Sequence, residues 1–96
     1  MPRRKKLPGF SFGQVVATPA ALDALSAAGT SPLPYLARHA REDWGSLDSE
    51  DVQANNDALV NGDRLLSAYI LPSGEKIWII TEADRSSTCV LLPSDY

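Results

Sequence analysis

Residues 64–96, RLLSAYILPSGEKIWIITEADRSSTCVLLPSDY, decide the fold. Residues 65–71 and 76–81 are apolar and rich in β-formers, and Pro72-Ser73-Gly74-Glu75 between them is a turn sequence, so the two runs predict a hairpin. Residues 87–92 form a third run that Pro93 stops. The second and third runs are joined by a strongly polar link, Thr81-Glu82-Ala83-Asp84-Arg85-Ser86-Ser87-Thr88. A turn needs only glycine, proline or asparagine, so a link with two acids, an arginine and several hydroxyls invites a second purpose.

Upstream of this sheet the punctuation is helical. Asp48 reads as an N-cap with Asp51 near the third helical position and Leu47 able to staple onto Val52, which opens a helix that Asn61-Gly62-Asp63 ends. Ser31-Pro32 opens an earlier helix reaching about residue 42, with Leu33, Leu36, Ala37 and Ala40 as its apolar stripe and Trp44 continuing it. Thr18-Pro19 opens the first, with Leu22 and Leu25 on one face and Gly29 as its stop. Residues 10–17 read as a strand in which Gly13 marks a bulge or a close approach. The expected order is therefore β-α-α-α-β-β-β, an α+β fold with a helical layer on one face of a mainly antiparallel sheet.

Ninety-six residues suit one domain, expected over residues 10–96 behind a basic, disordered tail at residues 1–9. Apolar content of 44% with 22% charge excludes global disorder. No run of about 18 apolar residues is present, so no membrane span is expected. One cysteine, Cys89, excludes an intramolecular disulfide and fits a reducing, cytoplasmic setting. The net charge of −3 hides an asymmetry: Arg3, Arg4, Lys5 and Lys6 are positive, and the rest has five basic against twelve acidic groups. An acidic body disfavours a phosphate-binding surface, leaving nucleic acid only weakly suggested through the tail.

The candidate chemistry is sparse. Thr81 alternates with Ile77 and Ile79, and Glu82 with Trp78 and Ile80, so one polar group ends each face of the central strand. Arg85 can bridge back to Glu82 or Asp84, or present its guanidinium to an anion. The link thus reads either as an anion-binding loop or as a self-satisfying turn closed by a salt bridge. His39, the single histidine, could pair with Asp43 and act on a nucleophile such as Ser67 or Thr88; the bland alternative is a surface pair at a helix end. Asn55 either anchors its helix or holds a ligand. Tyr69 and Trp78, on adjacent strands, are read as sharing a face, and an exposed aromatic face would mark a protein partner or a homodimer. No metal site and no cofactor is expected, since one histidine and one cysteine give too few ligands and no phosphate-loop or dinucleotide motif is present.

Taken together, Asp43-Trp44-Gly45, Asp51, Asn55, Ser67-x-Tyr69, Gly74, residues 78–86, Thr88, Leu92-Pro93 and Tyr96 resemble a family of small uncharacterised bacterial proteins associated with plasmids and other mobile elements. The resemblance covers residues 13–96. It implies no known activity, although some members carry a restriction–modification label. A looser, architectural similarity is to small helix-then-sheet ribonucleases that include bacterial toxins. That likeness would make His39, Glu82, Arg85 and Thr88 the catalytic groups. A non-enzymatic interaction protein is the leading expectation, and a phosphate-directed enzyme the alternative.

Overall fold

The computed structural model describes residues 10–96; the basic tail, with its weak suggestion of nucleic acid, lies outside them. The order is β1 (Gln14–Ala17), α1 (Pro19–Ala27), α2 (Pro32–Ala40), α3 (Ser49–Asn61), β2 (Leu65–Ile70), β3 (Lys76–Thr81) and β4 (Ser87–Leu91), with a closing 3-10 turn at Pro93–Asp95. This is the expected α+β arrangement. The sheet runs β1-β4-β3-β2 and is mixed: β2, β3 and β4 form an antiparallel meander, and β1 joins β4 in parallel. A parallel partner follows from the helices between β1 and β4, which return the chain in the direction it started.

Local signals set the elements. The Thr18 hydroxyl accepts from the Ala21 N–H at 3.1 Å, and Asp48 Oδ1 from the Asp51 N–H at 2.9 Å, so both N-caps are formed. At the end of α1 the Thr30 N–H reaches the Leu25 carbonyl and the Gly29 N–H the Ser26 carbonyl, satisfying two terminal acceptors. The hairpin turns through a Gly74 N–H to Leu71 carbonyl bond of 2.8 Å, and Gly74 at φ 91° takes a conformation other residues resist. Gly13 is a close approach, as expected: a Cβ there would strike the Arg85 carbonyl and the Ser86 peptide.

Strand alternation sorts the two faces. On the helix side stand Leu65, Ser67 and Tyr69 of β2, Ile77, Ile79 and Thr81 of β3, and Thr88 and Val90 of β4, all essentially sealed from solvent. Ala21, Ala24 and Leu25 of α1 and Leu36 of α2 close over Tyr69, Ile77, Ile79 and Val90. A second apolar cluster joins Trp44, Ala58 of α3 and Leu65, with Phe10, Leu47, Val52 and Leu59 against it.

Three expectations need correction. Helix α2 stops at Ala40, and Glu42 at φ 65° turns the chain. Its buried stripe is Leu36 and His39, while Leu33 is 73% exposed. The inward face is thus rotated by one residue from the expected stripe. Tyr69 and Trp78 do not share a face, because the register pairs Tyr69 with Ile77 and Ala68 with Trp78.

The β2 edge is closed by the chain itself. Asn55 Nδ2 donates to the Leu66 carbonyl at 2.6 Å and its Oδ1 accepts from the Leu66 N–H at 3.0 Å. A side-chain amide thus stands in for the peptide group of a missing strand. Two residues on, the Ala68 N–H donates to the Trp44 carbonyl and the Ser46 N–H to the Ala68 carbonyl. Asn55 is therefore the anchor of α3. Truncation to Asn55→Ala leaves a donor and an acceptor on a strand edge beneath α3, and is expected to lower unfolding free energy by about 2–4 kcal/mol in urea titration. Exposed Asn56→Ala should stay within about 0.5 kcal/mol. Equal losses would contradict the anchoring role.

Candidate functional site

The polar groups that converge are His39, Ser67, Thr81 and Thr88, each with 0% of its surface exposed. His39 projects from the last turn of α2 onto the helix face of the sheet. Its Nδ1 meets Ser67 Oγ in a very short contact, and its Nε2 lies 3.0 Å from Thr81 Oγ1. Thr81 Oγ1 is 2.8 Å from Thr88 Oγ1, which is 2.8 Å from the Phe12 carbonyl oxygen.

The protons follow from the far end. A carbonyl only accepts, so the Thr88 hydroxyl donates to Phe12. Thr88 has no second proton, so the Thr81 hydroxyl must donate to it. His39 Nε2–H must donate to Thr81, which leaves Nδ1 bare to accept from the Ser67 hydroxyl. The chain runs one way and requires a neutral imidazole protonated on Nε2.

The surroundings enforce neutrality. Phe10, Phe12 and Trp44 stand with ring centroids 5.3, 5.7 and 5.5 Å from the imidazole. Burial lowers the His39 pKa to about 4, because no carboxylate is present to compensate the charge. Asp43 takes Arg38 instead, at 2.8 Å, and its carboxyl is held below the usual range by that guanidinium. The expected His39–Asp43 pair is thus not formed, because the chain turns away after Ala40. A Ser–His contact exists, but substrate cannot reach either residue.

The other candidates lie apart. Glu82 is exposed, and its N–H closes the link on the Ser87 carbonyl at 3.0 Å. Arg85, at φ 60°, forms no salt bridge with Glu82 or Asp84. Its Nη1 donates to the carbonyls of Asp63 (2.6 Å), Glu82 (3.0 Å) and Ala83 (3.2 Å), and Nη2 to Ala58 (3.3 Å). A guanidinium on the carbonyls that end α3 caps that helix and favours the negative end of its dipole. Asp84 Oδ1 accepts from the Ser86 N–H at 3.0 Å, so the link satisfies itself as a turn of this composition can.

On the sheet face away from the helices, Trp78 is half-buried and meets Tyr96 edge-on at 5.7 Å, with the Arg64 guanidinium 5.5 Å over the Tyr96 ring. Ile80 and Leu91 lie nearly buried on this face, and Val16 (43%) and Ile70 (59%) stay exposed at its rims. Tyr69 is buried on the opposite face, donating from its hydroxyl to the Asp43 carbonyl at 2.7 Å. Beside β2 is a shallow depression of about 280 Å³ between Arg38, Gly45, Ser46, Tyr69 and Ile70. Among the described residues, no three His, Cys, Asp or Glu side chains group as metal ligands, and no helix is long and apolar enough to cross a membrane.

The sequence reading places Thr81 on the face of Ile77 and Ile79 and offers Ser67 as a nucleophile, but does not gather these hydroxyls with His39 and Thr88 into one buried chain. The signal was alternation: Ser67 lies between Leu65 and Tyr69, and Thr81 follows Ile77 and Ile79, so both hydroxyls are carried to the apolar face. His39, three residues after Leu36, was the matching helical signal.

The lowered His39 pKa fixes a pH dependence. Between about 4 and the ordinary value of 6.5 the unfolded chain binds a proton that the native state refuses. Stability is therefore full above pH 6.5 and falls by roughly 3 kcal/mol as pH drops through this window. The depressed carboxyls of Asp43, Asp84 and Asp95 act below their ordinary value of 3.8. Urea midpoints are expected to decline from pH 7 to 4.5 in the wild type and much less in His39→Gln. An equal decline in both would contradict the assignment.

Comparison of the chain with protein-family models, curated proteins and solved structures finds no match, so a functional reading stands on these residues alone.

Proposed function

We propose that this chain is a small non-enzymatic interaction protein, an accessory factor of a bacterial mobile element, that offers the helix-free face of its sheet to a protein partner. The observation that carries the reading is the exposure of Ile70 and Val16 on either side of Trp78, on a face where the closing turn, Tyr96 and Arg64 give partial cover among the described residues. Apolar side chains at the rims of a half-covered aromatic are what a partner surface would bury. The mobile-element part rests on the resemblance of residues 13–96 alone.

The ribonuclease alternative receives little support from the geometry. It needs an accessible acid–base pair and a free cation, whereas His39 is sealed in its uncharged form and Arg85 is spent on carbonyls. The test has two arms. Proteins encoded beside the gene are passed over immobilised wild type and Ile70→Asp, and the wild type should retain one that the variant binds at least about tenfold more weakly. Purified protein is also incubated with RNA, where no cleavage is expected. Cleavage abolished by His39→Ala in a folded variant would overturn the proposal.

A further inference from the structure

The two edges of the sheet are finished differently. At β2 the outward peptide groups of Leu66 and Ala68 are taken by Asn55, Trp44 and Ser46. At β1, the bonds from the Gln14 N–H to Ser86 and from the Thr18 N–H to Val90 direct the even-numbered residues toward β4. Alternation turns the N–H and C=O of Val15 and Ala17 outward, where they have no partner among the described residues. The strand is Gln-Val-Val-Ala, uncharged, with Val15 47% and Val16 43% exposed. It carries none of the usual guards of an open edge, no lysine, no internal proline and no bulge within it.

From this edge we infer that the chain forms a two-fold homodimer in which β1 pairs antiparallel with β1 of a second copy, joining two four-stranded sheets into one. The register is set by the outward groups. Antiparallel bonding must match outward residues with outward residues, and pairing Val15 with Ala17 of the second copy, with the axis through Val16, is the register that keeps every outward residue within the strand, since Gly13 at φ 63° lies outside it. This places Val16 against its own copy on the helix-free face and forms about four backbone hydrogen bonds. Gln14 falls opposite Thr18, so no like charges meet anywhere along the pairing. One step further, Gly13 would face Pro19, which has no N–H, and the ladder ends there.

A second copy fits this strand because the segment is short, uncharged and compatible with itself under a two-fold axis, so the strands meet without charge repulsion along the pairing. The pairing also keeps both helix-free faces on one side of the joined sheet. It stands on the edge geometry and not on the proposed role of that face.

Sedimentation equilibrium of the full chain, from roughly 1 to 300 µM, tests the pairing. The expected result is a monomer–dimer equilibrium with a dissociation constant on the order of 10 µM, as a small interface gives. Val15→Pro removes an outward N–H and no bond within the sheet, and should weaken the dimer at least about tenfold while circular dichroism stays unchanged. If that variant misfolds, amide exchange of wild-type Val15 and Ala17 serves instead, and both should slow at least about tenfold from the dilute to the concentrated sample. A monomer at every concentration overturns the inference. So does a dimer that survives Val15→Pro but is lost in Ile70→Asp, which would place self-association on the sheet face.

Discussion

The structure depends on the one-way hydrogen-bond chain that starts at the Ser67 hydroxyl, passes through the His39 ring, Thr81 and Thr88, and ends on the Phe12 carbonyl. It ties α2, β2, β3, β4 and the segment before β1 in one line. Along β2 it falls between Leu65 of one apolar cluster and Tyr69 of the other. A hydroxyl or imidazole left without a partner in such a place costs about 1–3 kcal/mol. Every member is satisfied, so the network specifies which helix lies over which strands without leaving that penalty.

The same demand for partners accounts for the other polar side chains. Asn55 finishes the edge of β2, Arg85 ends α3, and the Thr18 hydroxyl, already the cap of α1, donates to Asp95 at 2.6 Å and holds the closing turn. The residues with the most suggestive chemistry in the sequence are thereby used up in folding. On the sheet, the apolar side chains left exposed are Val15 and Val16 on one rim and Ile70 on the other, with Trp78 beneath Tyr96; Leu22, Leu33 and Val60 are exposed singly on the helices.

Much of the fold was legible because it is written in local signals. Thr18 and Asp48 announce their helices, Gly74 its turn, and the alternation of residues 76–81 its two faces. The less legible parts depend on register and on distant contacts. The two faces of Tyr69 and Trp78 are set by a one-residue step in the hairpin. Helix α2 turns His39 inward and Leu33 outward, against apolar periodicity, because the hydroxyls of Ser67 and Thr81 on the sheet give the imidazole its partners. Arg85 is visible as a cation, but two of its four carbonyl partners, Ala58 in α3 and Asp63 just after it, lie more than 20 residues earlier, which no local pattern discloses.

The most direct measurement is the protonation state of the His39 ring, read by long-range proton–nitrogen NMR as pH is lowered. The account predicts a single neutral tautomer, with the proton on Nε2 and Nδ1 bare, persisting well below the ordinary imidazole value of 6.5 until the protein unfolds or His39 titrates near 4. A ring protonated on Nδ1, or one that titrates near 6.5 in the folded protein, would contradict it.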